Sequence, residues 1–239
     1  MPWLLNLLYA IALLAAAPWL FLRAMTTGRY RQGWSQKLLG HLPPAVIDGI
    51  GNQPVVWLHG VSVGEIQLLK PLFEQLRSKN PEWRFVVSST TQSGMQLAQS
   101  LFPGDSLFYF PFDFTWSVRT VIARLKPKLI VLGELELWPN LINAAKSCQI
   151  PIAVVNARLS EGSFRGYQRF SWLTRAVFAK LRLVAAQDAT YAERFVACGS
   201  PPSPNLIGLT SFNIHTIPEP SVVALGVLGL GALLLRRRK

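Results

Sequence analysis

One glutamate, Glu65, stands where a predicted buried strand gives way to a helix. The apolar run 55–59 predicts the strand, segment 60–64 predicts a turn of small residues, and a helix is predicted over 65–78. Ligands of doubly wound α/β sheets bind beyond the carboxyl ends of the strands. Glu65 is therefore a candidate general base, which the helix dipole should keep ionised. Ser62 and Gly64 shape the turn and leave room for a bulky ligand.

Two further segments put charged side chains just beyond strand-like runs. Glu134 follows the apolar run 129–132, and Arg158 follows the run 152–156. A carboxylate can stabilise a developing positive charge, and a guanidinium pairs with a phosphate or a carboxylate. Structural roles remain open for all three residues: a first-turn helix acid for Glu65, a capped strand-end acid for Glu134 and a structural ion pair for Arg158.

Apolar runs of strand length alternate with segments of helical period, which is the βαβ pattern of a parallel sheet covered by helices. The predicted strands are 55–59, 85–89, 107–110, 129–132, 152–156 and 183–186, and the predicted helices are 65–78, 94–101, 115–125, 141–148, 172–180 and 189–197. The predicted fold is α/β, with a single Rossmann-like domain over 51–208. The turn 60–64 lacks the spacing of dinucleotide-binding glycines, so no cofactor is expected.

The net charge of +12 and the pI of about 10.3 predict an anionic partner. The chain shows no nucleic-acid motif, so an anionic membrane and a phosphorylated lipid are the better match. Cys148, Cys198 and the three histidines are scattered without metal-type spacing, so no metal site is expected.

The first 22 residues carry no charged side chain, and the stretch from Leu4 to Leu22 is about as long as the roughly 20 residues that cross a bilayer. We expect 1–22 to be a membrane anchor and 23–50 to be a basic, membrane-proximal segment. The positive flank places the body on the cytoplasmic face of the inner membrane. Pro18 leaves an interfacial helix open as an alternative.

The other end of the chain resembles a PEP-CTERM sorting signal, which implies export. A linker, 209–221, contains Pro218-Glu219-Pro220, and the apolar tail 222–239 ends in three arginines and a lysine. A cytoplasmic body conflicts with an exported one if both apolar ends span the membrane. Three explanations remain open: the front helix does not span, one end does not act as its pattern suggests, or the tail is a frame-shift or fusion artefact.

Six motifs in order resemble the amino-terminal half of the 3-deoxy-D-manno-octulosonic acid (Kdo) transferases, from about Leu4 to Gly208. They are Tyr30-Arg31-Gln32-Gly33-Trp34, the segment 55–65, Thr90-Thr91-Gln92-Ser93-Gly94, Phe110-Pro111-Phe112-Asp113, the segment 133–140 and the segment 156–161. The resemblance implies a glycosyltransferase of the two-Rossmann type, independent of metal, that transfers Kdo from CMP-Kdo to a lipid A precursor.

The resemblance implies that Glu65 is the proton acceptor and Glu134 the transition-state stabiliser. Ser62, Gly64 and Arg158 are then expected to bind the acceptor. Where the family has a lysine after its first domain, this chain has Ser211. The donor-binding second domain is not recognised, so we expect no activity alone and CMP-Kdo binding only with a supplied donor domain. The alternative is a non-catalytic membrane-surface or lipid-binding module, exported and anchored by its carboxyl-terminal tail.

Overall fold

The computed structural model describes residues 2–27, 32–134 and 138–202. Six parallel strands form one sheet in the order β3-β2-β1-β4-β5-β6. This is the order of the doubly wound α/β fold, and it confirms the predicted fold class. The strands are β1 (Val55–His59), β2 (Arg84–Ser89), β3 (Leu107–Tyr109), β4 (Leu129–Gly133), β5 (Ile152–Ala157) and β6 (Leu183–Ala186). Each predicted strand agrees with the structure to within one residue at either end.

The helices are α1 (Pro2–Thr27), α2 (Trp34–Leu39), α3 (Pro44–Asp48), α4 (Val63–Lys79), α5 (Gln92–Leu101), α6 (Thr115–Leu125), α7 (Pro139–Ser147), α8 (Glu161–Arg169), α9 (Ser171–Phe178) and α10 (Ala189–Ala197). Helices α4 and α5 cover one face of the sheet, and α6, α7 and α9 cover the other. Successive residues of a strand point to opposite faces. Val56 and Leu58 therefore pack under α4, whereas Trp57 packs under α6 and α7.

The predicted domain boundary at residue 51 is too late. Two short helices, α2 and α3, lie within the segment 23–50, which the sequence assigned to a region beside the membrane. Leu42 and Val46 of that segment belong to the same buried core cluster as Trp57. The body therefore begins before residue 51. The predicted domain end at 208, Ser211 and the tail over 209–239 lie outside the described residues.

Helix α8 was not predicted, because the sequence signal used for helices was a buried apolar stripe. Helix α8 has no buried residue, and Ser160 caps it by accepting a hydrogen bond from the backbone N–H of Ser163. Helices α4 and α5 begin two residues earlier than predicted. In both cases a hydroxyl cap, from Ser62 and Thr91, starts the helix ahead of its first buried residue.

Helix α1 is long and apolar enough to cross a membrane, judged by length and composition alone. The stretch Trp3–Thr26 has 24 residues and a mean hydropathy of 2.0. Most of its large side chains are exposed, including Leu14 and Phe21. The helix nevertheless contacts the body near its amino end through Asn6 and Tyr9.

Candidate active site at the carboxyl edge of the sheet

The three charged side chains selected from the sequence lie at one edge of the sheet. Strands β1, β4 and β5 are neighbours and parallel, so their carboxyl ends meet at the same edge. Glu65 lies in the first turn of α4, which follows β1, whereas Glu134 and Arg158 come directly after β4 and β5. The side chain of Glu134 is half-buried and that of Arg158 is exposed. The edge therefore combines two acidic side chains with one basic side chain.

Glu65 and Ser62 form a reciprocal cap at the start of α4. The Ser62 hydroxyl accepts a hydrogen bond from the Glu65 backbone N–H at 3.3 Å, and Glu65 Oε1 accepts one from the Ser62 N–H at 3.2 Å. Glu65 Oε2 also accepts a bond from the Val61 N–H at 2.8 Å. Both carboxylate oxygens are thus oriented by backbone donors, which fixes the carboxylate in one position.

The turn that presents Glu65 is held from the neighbouring strand. The Val61 carbonyl accepts hydrogen bonds from the hydroxyls of Ser89 and Thr91, at 3.2 and 2.7 Å. Thr91 Oγ1 also accepts a bond from the Gly94 N–H at 3.0 Å and so caps α5. The motif Thr90–Gly94 therefore has a physical role: its threonine starts a helix and clamps the turn beside Glu65.

Three glycines control the space around Glu65. A Cβ on Gly60 would lie 3.1 Å from Glu65 Cβ, and one on Gly133 would lie 3.3 Å from the His59 carbonyl oxygen and 3.6 Å from Glu65 Cβ. These two glycines let the strand ends approach the helix closely. Gly64 differs, since its Cβ would meet only Ser62 Oγ, at 3.9 Å. Packing does not require a glycine at 64, and its absence of a side chain leaves the turn open.

Burial controls the ionisation of Glu65. It raises the pKa of Glu65 from 4.5 to about 7, with a smaller contribution in the same direction from the negative charge of Glu134. Hydrogen bonds from Val61 and Ser62 oppose this effect and do not overcome it. The expectation that the helix end would keep Glu65 ionised is therefore corrected: loss of water outweighs the hydrogen bonds at the start of α4. A carboxyl group with a pKa near neutrality is suited to exchange a proton.

Glu134 is held by an amide pair that the sequence did not indicate. Asn156 Nδ2 lies 3.5 Å from Glu134 Oε1, and Asn156 Oδ1 accepts a hydrogen bond of 2.7 Å from Gln187 Nε2. Glu134 and Asn156 both have left-handed backbones, with φ of 57° and 54°. Such backbones are costly for residues other than glycine, and they cluster at functional sites.

His59, at the end of β1, is a structural residue of this edge. It is fully buried and stacks on Phe110, with ring centroids 3.8 Å apart, and its Nδ1 lies 3.0 Å from Ser88 Oγ. Burial lowers the pKa of His59 to about 3, so the imidazole is neutral at ordinary pH. Sequence reasoning singled out neither His59 nor its contacts.

Asp113 is a second buried acid, and in the sequence it stood out only as part of the motif Phe110-Pro111-Phe112-Asp113. Its carboxylate accepts hydrogen bonds from the backbone N–H groups of Asn140 and Leu141, at 2.9 and 2.8 Å, in the first turn of α7. Burial raises the pKa of Asp113 to about 7. Among the residues that the structure describes, no three His, Cys, Asp or Glu side chains come together to hold a metal ion.

Comparison with known proteins identifies a family for most of the chain. Residues 32–213 match the family model described as 3-Deoxy-D-manno-octulosonic-acid transferase (kdotransferase). A 3-deoxy-D-manno-octulosonic acid transferase from Chlamydia muridarum is 35% identical over 205 residues, which is 83% of this chain and 47% of the relative. Enzymes with the same name from Chlamydia trachomatis and Haemophilus influenzae are each 32% identical, over 89% and 69% of this chain and 48% and 39% of theirs. The chain spans about half the length of the Chlamydia relatives.

Proposed function

Because this chain belongs to the 3-deoxy-D-manno-octulosonic acid (Kdo) transferase family, we propose that it supplies the acceptor side of Kdo transfer from CMP-Kdo to a lipid A precursor. The observation that carries the proposal is Glu65, a buried and firmly oriented carboxyl group with a pKa of about 7 at the carboxyl edge of the sheet. Each carboxylate oxygen of Glu65 accepts a hydrogen bond from the turn that follows β1.

In the proposed reaction, an acceptor hydroxyl attacks the anomeric carbon of Kdo while the bond to CMP breaks. Glu65 takes the proton that the hydroxyl loses. A sugar that loses its leaving group develops positive charge, and the neighbouring carboxylate of Glu134 stabilises that charge. Arg158, exposed at the same edge, pairs with a phosphate of the acceptor. Ser62 and Gly64 keep the approach to Glu65 short and open.

The proposed location is the cytoplasmic face of the inner membrane, with α1 as the attachment. Helix α1 exposes an apolar surface, and basic residues follow it in the sequence. The bilayer would then hold the acceptor lipid and the protein together. The alternative is export with anchoring by the tail 222–239, which lies outside the described residues.

A second candidate function is a non-catalytic module that binds a lipid A precursor or an anionic membrane surface. The reciprocal cap favours it, because the hydrogen bonds that orient Glu65 also stabilise α4 without any catalysis. Both functions require acceptor binding at this edge. They differ in whether a proton is transferred to Glu65.

Binding of a tetra-acylated lipid A precursor to the detergent-solubilised chain tests the acceptor-side proposal. Arg158→Ala should weaken binding about tenfold or more, because a charge-assisted phosphate contact is lost. Arg182→Ala is the matched control, since Arg182 is an exposed arginine that precedes β6 at the opposite edge of the sheet. Equal effects of the two variants, or no binding by the unaltered chain, would contradict the proposed site.

A further inference from the structure

Helix α1 is fastened to the body by polar side chains near its amino end. Asn6 Oδ1 accepts hydrogen bonds from the Thr115 N–H and hydroxyl, at 3.0 and 3.1 Å, and from Asn140 Nδ2 at 3.3 Å. The Tyr9 hydroxyl donates to Asp113 Oδ2 at 3.0 Å. Asn6 and Asp113 are only 6% and 3% exposed. We refer to these five residues as the α1 latch.

The α1 latch lies at the carboxyl edge of the sheet. Thr115 is the first residue of α6, which follows β3, and Asn140 lies in the first turn of α7, which follows β4. Asp113 joins the two by accepting hydrogen bonds from the first turn of α7. The amino end of α1 is therefore fixed on the same edge that carries Glu65 and Glu134.

A helix held in this way cannot also cross a bilayer. Asn6 is about 30 Å from Thr26 along the helix axis, at roughly 1.5 Å per residue, and this is about the thickness of the hydrocarbon core. If α1 crossed, Asn6 and Tyr9 would lie near the far surface of the membrane. Their partners Asp113 and Asn140 are buried side chains of the folded body and cannot follow them there.

The surface that α1 turns away from the body is apolar and continues onto the body. Leu14, Phe21 and Leu22 are each more than 60% exposed. Trp116 is 46% exposed and stacks on Phe114, which in turn contacts the ring of Tyr9. This combination of a long apolar helix and an exposed tryptophan beside it fits the boundary of a lipid leaflet.

Basic groups accompany this apolar surface. The Arg23 guanidinium lies over the Trp19 ring, 5.4 Å from its centroid. Arg29 and Arg31 follow in the sequence, and no acid precedes Asp48. Positive charge at the boundary of a leaflet attracts anionic headgroups. The partner that fits both properties is a bilayer with anionic lipids.

We infer that α1 is a monotopic helix, which enters one leaflet and returns to the body without crossing the membrane. The α1 latch holds the carboxyl edge of the sheet against that leaflet, so Glu65 is presented to lipids at a fixed height. This inference deepens the proposed membrane attachment and does not require Kdo transfer.

Maleimide labelling in intact bacterial spheroplasts tests the path of α1. Trp3→Cys and Ser163→Cys are made separately in the full chain, each with Cys148→Ser to remove the exposed native cysteine. A membrane-impermeant maleimide should label neither position from outside, and it should label both after the membrane is dissolved in detergent. Labelling of position 3 alone from outside would show a spanning helix and overturn the inference.

Disulfide cross-linking tests the α1 latch itself in the same membranes. Asn6→Cys paired with Thr115→Cys should cross-link within one chain on mild oxidation. Leu8→Cys paired with Thr115→Cys is the matched control, because Leu8 is on a different side of α1 and is exposed. Cross-linking no stronger than in the control would overturn the inference.

Labelling of both positions 3 and 163 from outside, together with the cross-link, would have a different meaning. The body would then be exported, which contradicts the proposed cytoplasmic location. The latched helix would still be supported, because both labelled sites would lie on one side of the membrane.

Discussion

The carboxyl group of Glu65 stands between two opposing influences. Two backbone N–H groups favour its ionised form, whereas burial and the negative charge of Glu134 favour its protonated form. Burial dominates, and the pKa of Glu65 rises to about 7. Since the folded state holds this proton more tightly than the unfolded chain, the contribution of Glu65 to stability is fully present below about pH 4.5. It is lost as the pH rises through about 7.

Glu65→Gln should therefore change the pH dependence of stability. Glutamine resembles the protonated carboxyl group, so the variant and the unaltered chain should be about equally stable at pH 4.5. At pH 8 the variant should be more stable by about 3 kcal/mol, because it avoids a buried charge. Urea unfolding followed by circular dichroism, in one detergent at several pH values, measures the difference.

Comparing the variant with the unaltered chain at each pH also cancels the contribution of His59, which is present in both. The lowered pKa of His59 acts in the opposite direction, because it destabilises the fold as the pH falls below about 6.5. Glu74→Gln is the matched control, because Glu74 is an exposed acid on the same helix, 3.8 Å from Lys70. It should leave the pH dependence nearly unchanged. A pH-independent effect of Glu65→Gln would mean that Glu65 is ionised throughout this range.

Asn156 should contribute to stability through both its backbone and its side chain. Its left-handed backbone and its bond to Gln187 suit asparagine better than alanine. Asn156→Ala should reduce the free energy of unfolding by about 2 kcal/mol, and Asn156→Gly should cost less because glycine tolerates this backbone. Equal losses in urea unfolding would show that the side-chain bond, and not the backbone, carries the cost.

The strands were predictable from sequence because each is a short, continuous apolar run. Residues 55–59 are buried throughout, as a parallel strand covered on both faces requires. Helix α8 lacked such a signal, and α2 and α3 are too short to show one. The placement of Glu65 followed from the strand pattern, whereas its pKa did not. That property depends on burial in the folded chain and on the charge of Glu134, which comes from a distant part of the sequence.

Thr91 links two elements, and its hydroxyl should matter to both. Thr91→Val keeps the shape but loses the bond to the Val61 carbonyl and the cap of α5. The loss of a helix cap costs about 1 kcal/mol, and the unpaired carbonyl adds to this. Thr91→Ser keeps the hydroxyl and should lose much less. Urea unfolding of both variants measures the difference, and equal losses would assign the effect to the methyl group.

Distant parts of the chain meet at the carboxyl edge of the sheet. The turn after β1, the strand ends of β4 and β5, and the amino end of α1 all lie there. No sequence pattern could indicate the last of these, because Tyr9 and Asp113 are 104 residues apart. The proposed membrane attachment and the candidate chemistry therefore share one edge, as the proposed action on a lipid headgroup requires.

Kdo transfer should require a second protein fragment that supplies the donor-binding half. The described residues carry the proposed acceptor site, and the chain spans about half the length of the Chlamydia muridarum relative. Purified chain should transfer Kdo from CMP-Kdo to a tetra-acylated acceptor only after the carboxyl-terminal half of that relative is added. Product is measured by mass spectrometry. Glu65→Gln should reduce the complemented rate by at least about 100-fold, since general-base catalysis contributes 10²–10⁴.

Glu74→Gln serves as the control here as well, because it removes an acid from the same helix without touching the edge. Acceptor binding without transfer in the complemented mixture would favour the non-catalytic lipid-binding module. Transfer that survives Glu65→Gln would instead remove Glu65 as the base while leaving the edge as the acceptor site. Transfer itself therefore separates the two candidate functions, and the Glu65→Gln variant decides whether Glu65 receives the proton of the acceptor hydroxyl.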